Sequence, residues 1–565
     1  MGIERLRLGI CALVLSLPLA ALAQQAESED VLIEEGDENT RDQAAAVEDG
    51  QAFVEEAQEV VGDENLADDN EVGGLFLSVR ASTAIYATEN RDYRPLDESS
   101  YQSIIDSDDR RDFGHSDITG TLSYRPLSDV TFDLQLKYDA IWKDDQLGRT
   151  AGSTGDLNVY RLAAEYAFVD LPEFRASVRL GRQPFSIGGV PNDYMLRGTL
   201  DAITAELDFR QFGRLRVLAI DFFGGNDLPQ NGYQFYRDGR QTIFGQRGET
   251  NTLRSGVIYE LDDAALPEVP IEARAYYFYA QIGGGPIESS GSDLTYGGTL
   301  GNYSDRDYQH MLGLRAAYVR DFEGGGGVRV FAELAHSEGI DRKDHVARDV
   351  DTFGNAYGGG ATLELPISDG VTFLAAADFY HFDGARYASD GLEFERGFVS
   401  FKGDRIGGLA IGRLSAWRPS SYVDASGVEH APHDLSRSGG TQFGHAGLGF
   451  DVFGTRLSVD YWMFTDTGDT FLNVSTLDEI DEPPFGYSRE EFAAQARLGK
   501  ALGQEFDIEL RRQFNEIFAL YTGYGLFMPG EFYKIPVSKV AGVQETALGG
   551  QEDFWVFVFG SEVTF

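Results

Sequence analysis

Alternation of apolar and polar residues at a period of two, renewed from Gly74 to the last residue, confines this chain to β-sheet. In VTFDLQLKYDAIWK, Val130, Phe132, Leu134, Leu136, Tyr138, Ala140 and Trp142 share one face, and Thr131, Asp133, Gln135, Lys137, Asp139 and Lys143 share the other. A strand turns successive side chains to opposite faces, so this pattern is a strand with one apolar face. Leu162, Ala164, Tyr166 and Phe168 oppose Arg161 and Glu165 in the same way, and Leu457, Val459, Tyr461 and Met463 oppose Arg456 and Asp460. The final strand, DFWVFVFGSEVTF, sets Trp555, Phe557, Phe559, Val563 and Phe565 on one parity, with Ser561 as its polar exception. Val556 and Val558 blur the other parity.

The connections between strands alternate short and long. The short ones are 126–129, 170–173, 211–214, 262–270, 322–327, 366–370, 453–454 and 515–516. The long ones are 88–112, 146–154, 189–197, 228–249, 285–305, 339–352, 387–439, 469–503 and 529–552. Eight short and nine long connections make eighteen strands with both sheet ends on the short-turn side. Short periplasmic turns, long external loops and an even strand count are the pattern of bacterial outer-membrane barrels. The expected fold is therefore all-β: a transmembrane antiparallel β-barrel of about 18 strands, its last strand pairing with LFLSVRASTAIYA so that no edge stays open in lipid. One stretch breaks the pattern. In YSREEFAAQARLGKA (487–501), Ser488 followed by Glu491 forms a capping-box sequence, which predicts a helix within the long connection.

The front end differs in character. Residues 1–23 carry Arg5 and Arg7, an apolar run and a small-residue site at Ala21-Leu22-Ala23, the layout of a secretory signal peptide. The only cysteine, Cys11, lies inside it, so the exported chain has no disulfide framework. Residues 24–73 form a second segment. From Gln24 to Val72 there are eighteen acidic residues against one basic residue, Arg41, and few aromatics, so a disordered, acidic periplasmic segment is expected. Val47, Phe53, Val54, Ala57 and Val61 could line a short amphipathic helix there, and the segment is either a solvated tail or a dock for a periplasmic partner. The barrel takes the third part, 74–565. A net charge of −45 speaks against nucleic acid as a partner.

Two stretches resemble the alginate export family of outer-membrane channels. The first is LGQEFDIELRRQFNEIFALYTGYGLFMPGEFY (502–533), with Gly523-Tyr524 and the Phe-x-Pro-Gly step at Pro529-Gly530. The second is VRLGRQPFSIGGVPNDYMLRGTLDAI (178–203), with Gly181-Arg182-Gln183 and then Arg197 with Asp201. In the second, SIGGVPND stands where the family carries an acidic-arginine step. The resemblance implies an 18-stranded barrel exporting an anionic polysaccharide.

Eighteen strands enclose an aqueous lumen, where about eight would be filled by side chains. A polyuronate path needs cations, and guanidinium meets carboxylate as a planar fork. Arg80, Arg125, Arg161, Arg175, Arg179, Arg274, Arg315, Arg329 and Arg511 fall on the polar parity. Asp133, Glu165, Glu206, Asp208, Glu272, Glu333, Asp460, Asp507 and Glu509 share that wall, so cross-strand pairing is the competing role for each arginine. Parity puts Arg182 on the lipid side, by a local bulge or at an interface where the side chain snorkels. The eight histidines are scattered, no serine–histidine–acid set stands out, and His430 with His433 lacks a third metal ligand. No cofactor, metal or catalytic residue is implied. Lipid and lipopolysaccharide surround such a barrel, and SDDRRD (107–112) and SDGLEFE (389–395) are candidate divalent-cation contacts at its rim, or merely solvated loops. The leading reading is a channel passing an anionic polysaccharide or acidic sugar through this arginine-bearing lumen, and the alternative is a diffusive uptake porin for small solutes such as sugar acids. The discriminator is whether the long loops, above all 387–439, fold inward. An adhesive surface protein is a further reading.

Overall fold

A computed structural model describes residues 74–89, 111–142, 154–187, 193–195, 197–221, 252–261, 270–282, 307–322, 325–343, 348–384, 386–387, 394–395, 397–398, 406–413, 422–424, 429–430, 440–471, 497, 499–533 and 553–565. The expected signal peptide, the acidic segment and its expected amphipathic stretch lie outside them, as do His433 and most of both acidic rim motifs.

Eighteen staves run in chain order: β1 (Leu75–Glu89), β2 (Arg111–Leu127), β3 (Val130–Trp142), β4 (Thr154–Leu171), β5 (Phe174–Ser186), β6 (Arg197–Asp208), β7 (Arg214–Asp221), β8 (Thr252–Leu261), β9 (Ile271–Ile282), β10 (Asp307–Asp321), β11 (Gly327–Lys343), β12 (Arg348–Ser368), β13 (Val371–Phe382), β14 (Thr441–Val452), β15 (Thr455–Asp466), β16 (Ala501–Gln513), β17 (Phe518–Pro529) and β18 (Phe554–Thr564). Each is antiparallel to its sequence neighbours, and β18 returns to pair with β1 from Arg80↔Thr564 to Glu89↔Trp555. Phe565 and Val79 exchange backbone hydrogen bonds of 2.8 and 3.1 Å at the seam, so the terminal residue is itself part of the closure. Two-residue strands at 386–387 and 394–395 hang on this sheet, and 422–424, 429–430 and 470–471 form a separate small one.

The outer surface is apolar: Leu314 (60%), Leu334 (62%) and Leu448 (59%) are among its exposed side chains. A closed sheet leaves no backbone group unpaired toward lipid, which is the condition for spanning a membrane with strands. The protein is thus a bacterial outer-membrane barrel, with its short turns on the periplasmic side and its long loops outside. The turns follow local chemistry. Between β14 and β15, Phe453 (φ 50°) and Gly454 (φ 75°) are the two left-handed central residues of a two-residue hairpin, the geometry that matches strand twist.

Two sequence expectations change. The β11–β12 connection is not a long loop over 339–352, because pairing continues from Gly339↔Thr352 to Lys343↔Arg348 and leaves only 344–347. The backbone ladder needs no apolar face to continue, so pairing outlasts the alternation there. The expected helix at 487–501 lies largely outside the described residues, but Arg497, Gly499 and Lys500 are not helical and Ala501 already opens β16.

Candidate functional site

Two connections turn into the lumen from the extracellular side. The first is the β5–β6 connection. Asp193 fastens its end to its beginning, accepting 2.6 Å from Ser186 Oγ and 2.7 Å from the Ile187 amide. Arg274 of β9 donates to the Ile187 carbonyl at 2.7 Å, and the Tyr194 hydroxyl donates to Asp378 of β13 at 3.2 Å. Tyr194 also packs edge-on against Tyr380 and Phe443, with ring centroids 4.7 and 5.0 Å away. β13 lies seven staves beyond β6 in a ring of eighteen, where nine is half the circumference. The described residues of the connection, 187 and 193–195, therefore strap across the inside of the barrel. Ile187, Tyr194 and Met195 are essentially inaccessible as a result.

Beneath the strap lies a dry polar hub. Glu333 of β11 accepts from Tyr276 Oη (2.9 Å), Arg315 Nη1 (3.1 Å) and Tyr380 Oη (3.2 Å). The Glu333 side chain is 0% exposed and that of Arg315 4%, with the Arg315 guanidinium 4.5 Å from the Phe331 ring centroid. His445 stands between Asp378 (2.8 Å) and Asp460 (3.0 Å) and stacks on Trp462.

The second inward segment, 406–413, comes from the β13–β14 connection and ends in a π-helical turn, Leu409–Arg413. Ile406, Leu409, Ala410 and Ile411 are all 0% exposed. They lie against the inner faces of β16, β17 and β18. Glu505 receives the amides of Gly408 (3.1 Å), Ala410 (2.5 Å) and Ile411 (3.2 Å). Leu409 fills the space that glycine leaves at 523 and 525, where an added Cβ would stand 2.7 and 2.9 Å from its side chain. Of the longest loop, 387–439, segment 406–413 folds inward.

Seven of the nine arginines form lumen-side ion pairs. Arg80 and Arg511 converge on Glu562 (2.9 and 3.1 Å), Arg175 meets Glu165 (2.9 Å), and Arg179 meets Asp133 (2.7 Å). Arg274 meets Glu260 (3.1 Å), Arg315 meets Glu333 (3.1 Å), and Arg329 meets Glu272 (3.0 Å). Arg161 is buried opposite Gln135, and Arg125 donates to the Ser128 carbonyl in the periplasmic turn. Glu260 also binds Arg216, a pair that the sequence reading passed over.

The resembling motifs separate by role. Arg182 sits opposite the exposed Asp201 on the outer face, where the β5–β6 ladder runs without a register shift and the β4–β5 ladder has its last pair, Leu162↔Arg182. Gln183 points inward, its amide donating to the Ala202 carbonyl (3.0 Å), and Arg197 is the register partner of Ser186. Gly523 faces the lumen slot and Tyr524 faces outward beside Trp555. Pro529 ends β17, and Gly530 sits so close to the Ala501 carbonyl that a Cβ would approach it to 2.1 Å.

Sequence reasoning missed Tyr194, Asp193, Glu505 and the 406–413 segment. A signal was present. DFYHF (378–382), YWMF (461–464) and FWVFVF (554–559) are apolar on both parities. A strand wall apolar on its lumen side needs something to cover it.

No family model matches the chain, and no curated protein matches it. Among solved structures the chain is similar to OccAB2 of Acinetobacter baumannii, at TM-score 0.44 and 11% identity over 88% of this chain and 99% of that one. It is similar to the outer membrane protein OprD of Pseudomonas aeruginosa at TM-score 0.44 and 10% identity, over 88% and 95%. For OpdL of Pseudomonas aeruginosa the TM-score is 0.40 and the identity 12%, over 87% and 98%.

Proposed function

We propose that this barrel is a passive uptake channel for small solutes, charged ones such as sugar acids included, and not an export route for an anionic polysaccharide. The observation that carries the reading is the strap tied from β6 to Asp378 through Tyr194. A polymer needs a continuous opening through which successive residues can slide, whereas a small solute needs only a gap beside the strap. The arginines add to it. Seven of nine already carry a carboxylate partner, so a polyanion would have to displace one acid for nearly every cation it met. Paired charges of both signs still steer a small ion without binding it tightly.

Purified full-length barrel in planar bilayers and in liposome-swelling assays tests this. Mono- and disaccharide acids are expected to permeate, with weak ion selectivity and no block by oligouronate. Strong anion selectivity with oligouronate block would overturn the uptake reading and restore export.

A further inference from the structure

We propose that Glu505 is the positioning residue that holds segment 406–413 in the lumen and so sets the size cut-off of the channel, an inference that rests on the uptake-channel reading. Glu505 is 0% exposed; besides a side-chain contact with Asp507, its hydrogen bonds come from the amides of Gly408, Ala410 and Ile411. The residue contributes only its backbone to the barrel ladder, opposite Trp462 and Phe527. Its carboxylate thus serves a segment about a hundred residues away in sequence and adds nothing to stave pairing.

Docking rests on two favourable features and one that opposes it. The Glu505 clamp is the first; charge-assisted hydrogen bonds are about twice as strong as neutral ones. The second is the Leu409 peg, seated at Gly523 and Gly525 above the inaccessible side chains of Val556 and Val558. The opposing feature is Asp507, two residues along the same face from Glu505. It is 1% exposed, neither carboxyl oxygen receives an N–H or hydroxyl donor, its side-chain contact is with Glu505 itself, and a Cβ on Gly408 would lie 1.8 Å from one of its oxygens. Burying a second carboxyl against the first with no basic partner is costly, and withdrawal of the segment would return Asp507 to water. Neighbouring carboxylates Asp460 and Glu509, with His445 against Asp460, give Asp507 no basic partner among the described residues. Glu505 and Asp507, alike in chemistry, therefore act on the segment with opposite sign.

The test uses full-length protein carrying Ala410→Cys as a thiol reporter, since Cys11 in the signal peptide is the only native cysteine. Maleimide labelling of position 410 reads docking, while bilayer conductance and swelling with oligosaccharides of graded length read the cut-off. Glu505→Ala is expected to speed labelling about a hundredfold, the loss of several charge-assisted hydrogen bonds, and to admit longer sugars. Glu505→Gln, which keeps an acceptor oxygen, restores part of the native behaviour, and Asp507→Asn slows labelling below the native rate. Equal labelling in native and Glu505→Ala barrels overturns the proposal, as does equivalence of the Gln and Ala variants, or acceleration by Asp507→Asn. Labelling that shifts as expected in a barrel that passes no solute would leave the clamp standing and remove the uptake reading instead.

Discussion

The lumen has two unlike walls. On β3 to β5 the inner face carries partly exposed ion pairs: Arg175 and Glu165 are 39% and 26% exposed, Arg179 and Asp133 27% and 17%. From β9 to β18 it carries a dry surface rich in aromatics beneath the two inward segments, with Tyr276, Phe278, Tyr380, Phe443, Phe464, Phe527 and Phe554 at 4% exposure or less and the Arg315–Glu333 pair buried among them. The first wall alternates apolar and polar cleanly because each of its faces meets one solvent. The second is largely apolar on both faces because it meets lipid on one side and protein on the other. The width of the passage is thus decided on the aromatic side, and its electrostatic character on the charged side.

The largest effect that could break this contrast concerns ion pairs. Glu333→Ala strands Arg315 in a dry site and should cost about 3–5 kcal/mol, as removal of one partner from a buried pair does. Glu165→Ala, in the wet wall, should cost no more than about 1 kcal/mol. Urea unfolding of the refolded barrel, followed by tryptophan fluorescence, measures both, and equal losses would erase the distinction between the walls. Next in size is Leu409→Ala. It removes a buried leucine from the Gly523–Gly525 slot, so about 2–5 kcal/mol of docking should go while the unfolding midpoint of the barrel holds. A midpoint that falls by the same amount would make the peg part of the barrel's own stability. Tyr194→Phe keeps the ring contacts but loses the hydrogen bond to Asp378, about 1 kcal/mol, and should show as added current noise from a looser strap. Quiet currents identical to native would mean that aromatic packing alone holds it. Smallest is Arg179→Gln: Asp133 loses its counter-charge, and the reversal potential in a salt gradient should move slightly toward cations. No movement would place Asp133 away from the ion path.

Much of the fold could be read in the sequence because a barrel in lipid has only local rules. Alternation from Val130 to Trp142 follows from a two-residue repeat, and the Phe-Gly turn at 453–454 follows from its own backbone angles. Where alternation stops, the reading failed: Gly339 to Lys343 still pairs with Arg348 to Thr352 although its composition is that of a loop. The candidate site was legible only in part. The nine arginines could be assigned to the polar parity, but their carboxylate partners depend on register between strands, as with Arg80 and Arg511, 431 residues apart, meeting on Glu562.

The sequence by itself determined the number of staves, the side on which both ends lie and the faces that meet lipid, since each depends on spacing within one strand or one turn. Only the tertiary structure decided what occupies the lumen. The strap from Ser186 to Tyr194 reaches Asp378 and the segment at 406–413 reaches Glu505 across distances that no local pattern encodes. Their partners become neighbours only once β18 has closed on β1.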